Sequence, residues 1–175
     1  MTELLKKNIK LVGIIFLFGI MAFGGCVYLL APRPPKEIEL VQNFNEHRAA
    51  FEQLRNMLQA DTNLSRVASW GVETHKPFFL GYPSENNFPT DRFKQYLALL
   101  KQANGYVGVR SEGTNGDPGI MVWGWGFAGN TRHIWICWLD QTPTNQIPTI
   151  DRYHGGYENI GFKHIDQNWY LATDL

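Results

Sequence analysis

The chain has 175 residues, 14% of them aromatic and 18% charged, with a formal net charge of zero. Three of its 16 basic residues and one of its 16 acidic residues precede Pro32, so the remainder carries a net charge of −2. A near-neutral remainder without a basic stripe excludes nucleic-acid binding, which depends on neutralising phosphates.

Leu11 to Ala31 read LVGIIFLFGIMAFGGCVYLLA, with no charged residue, Asn or Gln. At helical rise such a run spans about 30 Å, the thickness of a bilayer's hydrocarbon core. It predicts a membrane anchor over 1–31, with a transmembrane helix over about 11–31. Lys6, Lys7 and Lys10 precede the run, and the positive-inside rule places them in the cytoplasm. The expected location is the bacterial inner membrane, crossed once, with the rest of the chain in the periplasm. A second reading centres on Cys26. Phe23-Gly24-Gly25-Cys26 resembles a bacterial lipoprotein signal, in which Cys26 is lipidated. Val27 to Leu30 continue the apolar run where such a signal turns polar, so the length of the run favours the uncleaved helix.

Pro32 to Lys36 reads as a stiff spacer, and 37–175 as a single α+β domain. Apolar residues at Val41, Phe44, Phe51, Leu54 and Leu58 recur at helical offsets and predict one helix from about Glu37 to Ala60. Arg66 to Trp70 fits a short strand, and His75 to Pro89 a surface loop. A second helix follows, with Thr90 as its N-cap and Asn104-Gly105 as its stop. Tyr106 to Arg110, Ile120 to Phe127, Arg132 to Leu139, Gly161 to Ile165 and Trp169 to Ala172 read as strands. The expected fold is two helices packed on one face of an antiparallel sheet of about five strands.

Candidate chemistry is sparse. Gly124 to Gly129 matches G-x-G-x-x-G, but a strand follows where a nucleotide site needs a helix, so no nucleotide is expected. Gly124 and Gly126 instead leave one sheet face open to a close neighbour. Cys137 sits between Ile136 and Trp138 in an apolar strand, a setting for a structural cysteine rather than a nucleophile. The five histidines make no metal-ligand spacing, and no catalytic residue, metal or cofactor is expected. His154, Glu158 and His164 form a loose set that two adjacent glycines would bring together, which keeps a small hydrolase or metal-dependent enzyme as an alternative. Tyr82, Arg152, Tyr153, His154, Tyr157 and Glu158 lie in loops, and exposed aromatics beside charges have the composition of a protein-binding surface.

Phe44-Asn45-Glu46-His47-Arg48-Ala49-Ala50-Phe51-Glu52-Gln53-Leu54 and the ending Ile165-Asp166-Gln167-Asn168-Trp169-Tyr170-Leu171 carry a resemblance. The chain resembles a set of small uncharacterised bacterial envelope proteins with an N-terminal anchor, a Pro-rich spacer and one periplasmic α+β domain. The resemblance implies location and architecture, and no catalytic residues. The function expected from all of this is a non-enzymatic, membrane-anchored domain that binds another protein, most concretely an immunity-type protein neutralising a periplasmic toxin. A structural role in envelope assembly is the other alternative.

Overall fold

Leu40 and Phe44 make one buried stripe, and Ala50, Phe51, Leu54, Met57 and Leu58 continue it, so the segment after the spacer folds as helix against a core. The structure, a computed structural model, describes residues 32–75, 78–86, 88–105, 107–112, 117–127, 130–155 and 159–174. The expected anchor over 1–31, Cys26, Tyr157 and Glu158 lie outside them. Among the described residues no helix is long and apolar enough to cross a membrane.

The expected single helix is two helices, α1 (Glu37–Glu46) and α2 (Arg48–Ala60). His47 breaks the path at φ −116 and ψ 20. The break leaves Phe44 and Phe51 both against Trp169, with ring centroids 5.3 and 6.3 Å away. Trp138 meets Trp169 edge-on at 5.5 Å, and the Arg55 guanidinium lies 4.2 Å from the Trp138 ring. Burying rings of this size stabilises by about 1.5–3 kcal/mol each, so this cluster is the main clamp between helices and sheet. A short helix α3 (Pro83–Asn86) precedes α4 (Thr90–Gln102). The N-cap position of α4 is Pro89 rather than Thr90, and no side chain caps it. Asn104, at φ 49, ends α4 in the left-handed conformation, and the Gly105 N–H returns to the Leu100 carbonyl at 2.8 Å.

The sheet corrects the expected architecture. Among the described residues it has eight strands, with four helices, and every strand pairing is antiparallel: β1 (Leu64–Ala68), β2 (Gly71–Thr74), β3 (Phe79–Gly81), β4 (Gly108–Glu112), β5 (Asp117–Phe127), β6 (Asn130–Trp138), β7 (Gly161–Asp166) and β8 (Trp169–Thr173). Their order is β3-β2-β1-β4-β5-β6-β8-β7. β2 and β3 escape a sequence reading because four and three residues are too few to display a period of two. β2 also falls beside, and β3 inside, the stretch His75 to Pro89 whose Pro, Gly and Asn read as loop.

The two sheet faces differ. Val67, Val72, Val109, Ile120, Ile134, Ile136, Trp169 and Leu171 face the helices in the main core. Trp135, Cys137, Tyr170 and Ala172 form a separate cluster, covered in part by Met121, Leu139, Ile160 and Phe162. A register shift between Met121 and Trp123 sets Val122 and Trp123 together toward the main core. Gly124 then pairs with His133, and a Cβ there would meet the His133 ring and the Met121 sulfur at 3.4 Å. Among the described residues its nearest neighbours are these two side chains and the Arg132 carbonyl, all from the sheet itself.

Candidate functional site

The sheet's two edges are treated differently. β7 is covered at Phe162: the Ile147 N–H donates to the Phe162 carbonyl at 2.9 Å, and the Phe162 N–H to the Asn145 carbonyl at 3.0 Å. At the opposite edge, β3 pairs with β2 on one side, and no described segment pairs with its other side. An open edge presents unpaired backbone donors and acceptors, which natural sheets usually blunt with charge or cover. Here the side chains around it are apolar. Phe78 is 71% exposed, Tyr82 57%, Leu80 55% and Trp70 42%. Gly71, at φ +151, lets its backbone close onto Gly81, which seats Tyr82 beside the turn that carries Trp70 and Gly71. Trp70 also shares a shallow depression with Val107, and its ring lies under the Arg66 guanidinium at 5.8 Å. Tyr82 was legible as a candidate binding residue. Phe78, Leu80 and Trp70 were not, although an apolar run inside a Pro/Gly-rich stretch was the signal available.

Of the other expected binding residues, Arg152, Tyr153 and His154 lie in the loop before β7, whereas Tyr82 directly follows β3. Arg152 and His154 are exposed there. Tyr153 is half-buried and structural: its hydroxyl donates to the Asn159 carbonyl at 2.7 Å and accepts from the Asn145 side chain at 3.3 Å. Tyr153 and His154 line a cavity of about 290 Å³ together with Lys36 and Arg132. Neither Lys36 nor Arg132 stands out in the sequence, because one closes the spacer and the other opens a strand about a hundred residues later.

Of the loose histidine set, Glu158 lies outside the described residues, and His164 is engaged near its own hairpin. His164 Nε2 lies 2.7 Å from the Gln167 carbonyl, and its ring packs edge-on against Tyr170 at 5.2 Å. No group of three His, Cys, Asp or Glu side chains able to hold a metal occurs among the described residues. Cys137 is buried, and its thiol donates to the Tyr170 carbonyl at 3.5 Å. The Asp174 carboxylate, 3% exposed, takes both the His133 backbone N–H and its Nδ1, the latter at 2.8 Å. This carboxylate–imidazole pair ties the end of β8 to β6. Cys137 is roughly 13 Å further along the same strand, so the pair has no thiol within reach. Asp117 lies in a smaller depression beside Trp135 and Phe162, where burial and then the Asp140 carboxylate push its pKa above the ordinary carboxylate value.

No protein-family model, curated protein or solved structure matches the chain.

Proposed function

We propose that this chain is a membrane-anchored, non-enzymatic domain whose β3 edge receives a protein partner in the periplasm. The most concrete version is an immunity-type protein that neutralises a toxin acting there. The observation that carries the reading is the open β3 edge flanked by exposed Phe78, Leu80, Tyr82 and Trp70. An extended partner segment adds main-chain hydrogen bonds at such an edge, and the aromatic rings supply the apolar contact. The location rests on the apolar run Leu11–Ala31 and the lysines before it.

The test expresses the full chain together with the product of each neighbouring gene directed to the periplasm. The expected outcome is protection by the wild type and its loss in Leu80→Asp, with the variant still folded by circular dichroism. Absence of protection and of binding for every neighbouring product would sink the immunity reading. An envelope defect on deletion with no toxin present would point instead to the role in envelope assembly.

A further inference from the structure

The cavity beside the spacer is built differently from the β3 edge. Lys36 ends the spacer, Arg132 lies on β6 and His154 on the loop before β7, so three separate elements bring two cationic side chains and an imidazole to the lining of one space of about 290 Å³. Among the described residues no ion pair engages any of the three. The nearby carboxylates keep their charge but are held by backbone N–H groups at the rim. Asp151, which also lines the cavity, accepts the Glu37 backbone N–H at 2.8 Å, and Glu37 in turn accepts the Ile150 backbone N–H at 2.9 Å. That reciprocal clasp fixes the cavity's rim by joining the start of α1 to the loop. The remaining wall is apolar, from Pro34, Pro35, Ile150 and the Tyr153 ring.

We infer that this cavity binds a phosphate ester. Two cationic side chains and an imidazole lining one cavity from different elements suit a tetrahedral oxyanion, which offers acceptors in several directions, better than a planar carboxylate. The apolar wall accommodates the organic group that the phosphate carries. Two sources share this chemistry: a soluble phosphate monoester and the headgroup of an anionic phospholipid. The second has a steric rationale. Only Pro32 and Arg33 lie between the apolar run ending at Ala31 and Pro34, a chain length of at most about 10 Å, so an anchor there would tether the cavity-lining residues by a short leash. The inference stands apart from the protein-binding reading, and only its lipid source rests on the anchor.

The experiment uses the full chain in nanodiscs of phosphatidylcholine, titrated calorimetrically with glycerol 1-phosphate and with glycerol as the uncharged control. Saturable one-to-one binding of glycerol 1-phosphate alone is expected. Lys36→Ala and Arg132→Ala each weaken it by about tenfold, the worth of one charge-assisted hydrogen bond. Arg132→Lys, which keeps the charge, binds measurably better than Arg132→Ala, and Lys94→Ala, on the exposed face of α4, binds as the wild type does. Repeating the titration in discs containing phosphatidylglycerol separates the sources: loss of binding there identifies the lipid headgroup as occupant, and unchanged binding identifies a soluble ester. No saturable binding in the phosphatidylcholine discs, or binding that survives the Lys36→Ala/Arg132→Ala double variant, overturns the inference. Leu80→Asp leaves this titration unaltered, so its outcome is independent of the toxin experiment.

Discussion

Asp61 shows how much one side chain does beyond its local role. The sequence around it reads as a helix stop, and α2 does end there. Its carboxylate also accepts the Arg92 Nε–H and the Tyr96 hydroxyl, each at 2.8 Å, and so locks α4 against the end of α2. Those partners lie 31 and 35 residues away, a separation at which no local pattern announces a hydrogen bond. Burial, reinforced by the bond to Asp61, pushes the Tyr96 phenol well above its ordinary pKa. The folded chain therefore keeps that proton where the unfolded chain begins to release it, at about pH 10. With more protons bound in the folded state, stability falls as pH rises above about 10. Tyr96→Phe is expected to cost about 1 kcal/mol at pH 7 through the lost hydrogen bond. Urea midpoints measured at pH 8 and pH 11 should fall less for the variant than for the wild type. Parallel losses in the two proteins would show that Tyr96 carries no such linkage.

At the level of elements, the long signals were readable and the short ones were not. α4 appears where its Phe93, Tyr96, Leu97 and Leu100 spacing places it, and Asn104 stops it as expected. The six strands from β1 and β4 to β8 fall on or close to apolar runs. The His47 break was invisible because offsets of three, four and seven fit a straight helix as well as a bent pair, and no Pro or Gly marks the bend. β2 and β3 add the sheet's outer edge and with it most of the candidate binding surface, so the site was less legible than the fold. Of the residues expected to bind, Tyr82 reached that edge, while Tyr153 proved to brace a loop. The pairing of β2 and β3 depends on Gly71, where a Cβ would fall inside the Gly81 carbonyl and would also have to tolerate φ +151. Gly71→Ala should cost about 1–3 kcal/mol from backbone strain alone. It should also raise amide exchange in β2 and β3 before it does so in β6. A variant with wild-type exchange in β3 would show that the hairpin absorbs the change.

For the whole molecule, Pro34–Leu175 forms one compact unit. Its helices and the inner sheet face share a single core that includes Trp169, with Trp123 and Trp138 packed against it. Urea unfolding followed by tryptophan fluorescence and by far-ultraviolet circular dichroism should therefore give coincident transitions. Two separated midpoints would mean that the β3 end or the loop before β7 melts independently. The same architecture limits assembly. Residues 145–147 meet β7 at Phe162, so among the described residues β3 is the direction left fully open for the sheet to grow. Two copies meeting β3 to β3 about a two-fold axis would consume that direction for both, so association by this route closes at a pair and does not run on into a fibre. A partner seated on β3 removes the same surface from self-pairing. A partner of the kind proposed above and a second copy of the chain would therefore compete for one edge.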